Sequence, residues 1–81
     1  MNVKVKLFAL AAQLAGTNLL EVSLDGGATV ADLRRRLTDA VPALAPMMPH
    51  LLISINSDYA IEAMTIPPGA EVACFPPVSG G

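Results

Sequence analysis

The last six residues, Pro76-Pro77-Val78-Ser79-Gly80-Gly81, are the part of the chain whose residue types point to chemistry. A proline pair fixes φ and favours a stiff, extended exit from whatever precedes it. Six extended residues reach about 20 Å. Gly80 and Gly81 carry no side chain, so this stretch is thin and takes backbone angles closed to other residues. The sequence stops at the second glycine, so an uncrowded carboxyl is expected at Gly81. Such an end suits a narrow channel in another protein. A carboxylate is a poor electrophile until it carries a leaving group, so the expected chemistry is activation through a covalent acyl intermediate. Chain ends are often frayed and glycine-rich for no functional reason. The apolar alternation and the proline pair just before these glycines favour the functional reading.

No other residue makes a comparable case. Cys74 stands close to the tail, which invites a persulfide or thioester role. The alternation around it points its thiol inward, where a free cysteine behaves as a small hydrophobe. His50 has no cysteine or histidine companion at ligand spacing, so no metal site is expected. Asp32, Asp39 and Asp58 fit a helix cap, a helix surface and a turn better than acid catalysis. There is no phosphate-binding glycine loop and no nucleophile elbow. The chain therefore has no active site of its own, and no cofactor is expected to bind it.

Composition narrows the partners. Five basic and seven acidic residues give a net charge of −2, so no basic stripe is available for nucleic acid. Arg34-Arg35-Arg36 is the one basic cluster and reads as a solvated helix face. A single cysteine excludes a disulfide framework and fits a reducing cytoplasm. No signal-peptide pattern is present, and no apolar run reaches the ~20 residues that span a bilayer. Hydrophobic residues make up 53% of 81 positions, with a mean hydropathy of +0.55. A single small core cannot hide that much apolar surface, so an exposed patch and a protein partner are expected.

The elements that must position the tail follow from periodicity. Asn2 to Phe8 alternates, with Val3, Val5 and Leu7 on one face, as a half-buried strand does. Ala9 to Ala15 reads as one or two helical turns closed by Gly16. Leu19 to Leu24 alternates again and ends in Asp25-Gly26-Gly27, a turn sequence. Thr29 is a predicted N-cap with Asp32 three residues on. Val30, Leu33, Leu37 and Val41 then form one helical stripe, which Pro42 ends. Pro42 to Pro49 reads as an irregular crossover. Leu51 to Asn56 is a third strand, Tyr59 to Ile61 a short return strand, and Glu71 to Phe75 the last strand. Together these predict a two-layer α+β domain over 1–75, one mixed sheet packed on one main helix, with an extended, flexible tail over 76–81. Phe8 and Phe75 fall opposite the buried sets of the first and last strands. They predict a shared exposed aromatic patch at the tail's exit, the kind of anchor that serves as an interface hot spot.

The run Glu71-Val72-Ala73-Cys74-Phe75-Pro76-Pro77-Val78-Ser79-Gly80-Gly81 resembles the C-terminal signature of the small, sulfur-carrier subunit of molybdopterin synthase. Val3 to Ala9, Leu14-Ala15-Gly16, and Thr29-Val30 leading into Leu33 are also similar to that family, so the resemblance covers nearly the whole chain. It implies a ubiquitin-like β-grasp fold. It also implies that an activating enzyme related to ubiquitin activators adenylates the Gly81 carboxyl with ATP. A sulfur donor protein then makes the thiocarboxylate. The tail, Pro76, Pro77, Val78, Ser79 and Gly80 included, enters the large synthase subunit, in a two-plus-two assembly, and gives its sulfur to cyclic pyranopterin monophosphate. Two sulfurs build the dithiolene, so the carrier is recharged and used twice. Cys74 departs from the pattern, standing where a second aromatic is common. Three other functions share some of these features: a sulfur carrier for thiamine or cysteine biosynthesis, a ubiquitin-like protein modifier, and an interaction domain with an inert tail. The segment Phe75-Pro76-Pro77 favours the molybdopterin branch.

Overall fold

A computed structural model describes residues 1–77. Nine short elements follow one another: β1 (Asn2–Leu7), α1 (Ala9–Ala15), β2 (Leu19–Ser23), α2 (Val30–Ala40), two 3₁₀ turns (Pro42–Leu44 and Met48–His50), β3 (Leu52–Ile55), β4 (Asp58–Tyr59) and β5 (Val72–Phe75). The strands form one sheet in the order β2-β1-β5-β3-β4. β1 and β5 run parallel, and every other pair is antiparallel. The result is a mixed sheet with one principal helix, as the resemblance implies. The last strand lies in the middle of the sheet, so the end of the domain is anchored between β1 and β3.

Alternation in the sequence becomes two faces of the sheet. Val3, Val5 and Leu7 of β1, Val22 of β2, Ile53 and Ile55 of β3, and Val72 and Cys74 of β5 are buried. They join Val30, Leu33 and Leu37 of α2 in one core. Burying each such side chain contributes roughly 1.5–3 kcal/mol. The opposite face of the sheet carries Asn2, Lys4 and Lys6, all exposed.

Local chemistry sets the element ends. The Thr29 hydroxyl accepts from the Asp32 N–H at 3.3 Å, and the Asp32 carboxylate accepts from the Thr29 N–H at 2.9 Å, a complete capping box. The next two helix N–H groups, of Val30 and Ala31, donate to the carbonyls of Met64 and Glu62 at 2.9 and 3.1 Å. The start of α2 is therefore closed by the 62–66 segment rather than open to an anion. Gly16 ends α1 at φ 73°, a left-handed position that glycine takes without strain. Asn56 and Ser57, both at positive φ, make the two-residue turn between β3 and β4, as a type I′ hairpin requires.

Several details differ from the sequence reading. The first strand stops at Leu7, and Phe8 is instead the extended N-cap of α1. The short return strand is Asp58–Tyr59: the two-residue turn pairs Ile55 with Asp58 and Ser54 with Tyr59, and beyond them the Ala60 N–H still donates to the Ile53 carbonyl at 2.9 Å. Val41 is the C-cap of α2 and only half-buried. The crossover is ordered: Leu44 and Met48 of its two 3₁₀ turns enter the core.

Arg34 is not a solvated residue. Its side chain is only 17% exposed, and its Nη1 donates to the carbonyls of Met48 and Leu51, both at 2.7 Å. Its Nε lies 2.5 Å from Glu62 Oε1 as an ion pair without hydrogen-bond geometry. A crossover built from prolines leaves carbonyls without helical partners, and the arginine fork supplies the missing donors.

Candidate functional site

The site is built around the end of β5. Val72 and Cys74 face the core, so Ala73 and Phe75 face outward. Leu52 of β3 stands directly across from Phe75. On the other side, Leu7 pairs with Cys74, and the Phe8 N–H donates to the Cys74 carbonyl at 3.3 Å. Phe8 thus stands one step past the Leu7–Cys74 pair, beside the point where the chain leaves the sheet. Its side chain is 49% exposed.

The two phenylalanines do not form the patch as a ring pair. The aromatic neighbour of Phe75 is Tyr59, with centroids 5.8 Å apart and planes tilted by 54°. Such a tilted pair contributes about 0.5–1.5 kcal/mol beyond its buried area. Tyr59 is 69% exposed, so one side of the pair remains open. Sequence reasoning missed Tyr59. The signal was present in the turn: with two residues at positive φ, Tyr59 must sit opposite Ser54 on the outward face.

All three aromatic residues of the chain therefore bracket the exit from β5, Phe8 on one side and the Phe75–Tyr59 pair on the other. Lys6 lies on the same face with Leu19 and Ala73 across from it, so its charge has no acidic partner in register. Exposed Leu10 and Leu14 of α1 extend the apolar character of the chain's surface. Two open depressions, of about 830 and 560 Å³, lie along α2 and include no residue of β5. Among the described residues, no group of three or more histidine, cysteine, aspartate or glutamate side chains could hold a metal ion. No helix among them is long and apolar enough to cross a membrane.

Cys74 is fully buried, at 0% exposure. Burial pushes its thiol up to about 12, against a weaker downward pull from the Arg34 charge. The thiolate is the nucleophile in sulfur chemistry, so burial and the raised pKa both oppose a nucleophilic role for this residue. Pro76 and Pro77 follow Phe75 without regular structure. The predicted site residues Val78, Ser79, Gly80 and Gly81 lie outside the described residues.

The profile of the ThiS family matches residues 5–81. Small archaeal modifier protein 1 of Haloferax volcanii is 38% identical over 84 residues, covering 94% of this chain and 97% of that protein. The molybdopterin synthase sulfur carrier subunit of Chlamydomonas reinhardtii is 35% identical over 83 residues and covers all of both chains. The crystal structure of the Haloferax protein superposes with a TM-score of 0.89 at 36% identity, again covering both chains fully. The fold is the ubiquitin-like β-grasp.

Proposed function

We infer the function from one premise: the chain belongs to the ThiS family. It is a sulfur carrier, the small subunit of molybdopterin synthase. The Gly81 carboxylate attacks the α-phosphorus of ATP in an activating enzyme, and pyrophosphate leaves. The outer sulfur of a donor protein's persulfide then displaces AMP from the acyl-adenylate, and a second thiol on the partner proteins cleaves the resulting acyl disulfide, leaving a thiocarboxylate on Gly81 and a disulfide on the partners. That sulfur goes to cyclic pyranopterin monophosphate in the large subunit, and two rounds complete the dithiolene. ATP and pterin bind to the partners. This chain contributes the reacting end, its reach from Pro76 onward, and the surface that docks it.

The observation that carries this reading is the ring of aromatics around the β5 exit. Phe8, Phe75 and Tyr59 lie where a partner that swallows the tail must touch the body. Anchors of this type hold the reacting end at high effective concentration in the partner's channel. The 35% identity over the full length of a named sulfur carrier subunit supports the same assignment. Similarity to a protein named as a modifier favours one second reading, in which the activated Gly81 forms isopeptide bonds with lysines.

Intact-mass measurement after incubation with an activating enzyme, ATP and a sulfur donor separates the two. Replacement of one Gly81 oxygen by sulfur supports the carrier, and lysine-linked adducts support the modifier. Reconstitution with a large subunit and the pterin precursor then tests the pathway. Chain that is thiocarboxylated but yields no dithiolene belongs to another sulfur pathway. A residue appended after Gly81 should abolish thiocarboxylation and leave the fold intact.

A further inference from the structure

β2 lies at one edge of the sheet. Its pairing with β1 is set by Leu24 N–H donating to the Met1 carbonyl at 2.8 Å and Leu7 N–H donating to the Asn18 carbonyl at 2.9 Å. In antiparallel pairing the hydrogen-bonded positions alternate. Leu20 and Val22 therefore spend their backbone groups on β1, while Leu19, Glu21 and Ser23 turn theirs to the free edge. Such an edge is a template for another chain. The segment is also rich in apolar, β-favouring residues: Leu19, Leu20, Val22 and Leu24, with Leu19 exposed.

Three of these six outward groups are occupied. The Thr17 hydroxyl accepts from the Leu19 N–H at 3.2 Å and donates to the Leu19 carbonyl at 3.1 Å. One side chain satisfies both outward groups of that residue. At the other end, Arg36 Nε reaches from α2 and donates to the Ser23 carbonyl at 3.2 Å. Between them stands Glu21, the only charge on the strand. We propose that Thr17, Glu21 and Arg36 together close the edge of β2 to strand addition by a second copy of this chain. The opposite edge, β4, is two residues long and offers too short a ladder.

The geometry specifies what is being excluded. A second copy adding antiparallel about a two-fold axis at Glu21 pairs Glu21 with its own counterpart and Leu19 with Ser23. Both Leu19–Ser23 pairings require groups held by Thr17 and Arg36. The central pairing sets two carboxylates on one face at the spacing of a hydrogen-bonded pair, about 5.5 Å between Cα atoms. The inference is independent of the sulfur-carrier reading, since it concerns association and not the tail.

The test uses disulfide trapping. In a Cys74→Ala background, Glu21→Cys places the sole thiol at the two-fold position, within the roughly 4.4–6.8 Å Cα range that a disulfide bridges. Adding Thr17→Val and Arg36→Ala should raise the initial rate of disulfide dimer formation by at least about tenfold, the worth of one net hydrogen bond of pairing. Equal rates with and without those two residues would overturn the proposal. Amide exchange in the unaltered chain provides a check that needs no folded variant. The Leu19 N–H should exchange more slowly than the Glu21 N–H after correction for intrinsic rates. Equal exchange at the two positions would remove Thr17 as a guard and overturn the proposal as stated.

Discussion

Cys74 sits two residues before Pro76, where the tail begins, and is the chain's single thiol, so the question of which atom carries sulfur can be decided by replacing it. With its thiol pushed up to about 12, the thiolate fraction at pH 7.5 is about 3 in 100,000. An ordinary cysteine near 8.5 is about 10% ionised at that pH. The difference is about 3,000-fold in reactive species before steric exclusion is counted. Alkylation by iodoacetamide under native conditions should therefore be slower than that of a free thiol by at least about three orders of magnitude, with full labelling in denaturant. Cys74→Ala should leave thiocarboxylation and sulfur transfer unchanged and cost about 1 kcal/mol by urea denaturation, for the lost burial and small cavity. The sign of the pH dependence follows from the same burial. The folded chain keeps its proton where the unfolded chain loses it, so this stabilisation is complete below about pH 8.5 and fades as pH rises toward 12. The alanine variant should lack that part of the alkaline decline. Native-state alkylation at the rate of a free thiol, or lost sulfur transfer in a folded Cys74→Ala chain, would refute the reasoning.

Other expectations can be tested with the same protein. Arg34→Ala removes two charge-assisted bonds to the Met48 and Leu51 carbonyls and should cost about 2–4 kcal/mol by urea denaturation; Arg34→Lys, lacking the fork, should recover less than half. The Asp32 carboxyl is held below its ordinary value of 3.8, chiefly by the Thr29 N–H and then its hydroxyl. Its contribution is present above that value and fades as pH falls through the lowered one, so Asp32→Asn should flatten the acid limb of a stability profile. Phe75→Ala and Tyr59→Ala should each weaken binding to the large subunit by about tenfold or more while the circular dichroism spectrum is kept. In a double-mutant cycle on stability the two should couple by about 0.5–1.5 kcal/mol.

Legibility in the sequence followed the range of each interaction. The N-cap at Thr29, the Gly16 helix end and the inward alternation of β1, β3 and β5 depend on neighbours within a few residues, and periodicity exposes them. Arg34 could not be read this way. Its partners are 14 and 17 residues distant and are backbone carbonyls, which leave no mark on side-chain pattern. Phe8 went only partly right: its outward position was legible, but its role as the cap of α1 depends on a sharp turn in which Ala9 takes φ 54°, a conformation alanine rarely adopts. The outward positions of Phe8 and Phe75 were legible, yet the pairing of Phe75 with Tyr59 depended on the register of a two-residue hairpin. Tyr59 entered from that register, not from its own surroundings in sequence.

The parallel pairing of β1 with β5 governs when this chain can fold. The strand at the middle of the sheet is the last of the described strands in chain order, and Val5 finds its parallel partner at Val72. Before β5 arrives, β2-β1 and β3-β4 are separate hairpins, and isolated hairpins are marginal in water. Without Val72–Phe75 the sheet has no strand between β1 and β3. A chain cut before Val72 loses the strand that joins β1 to β3 in the sheet.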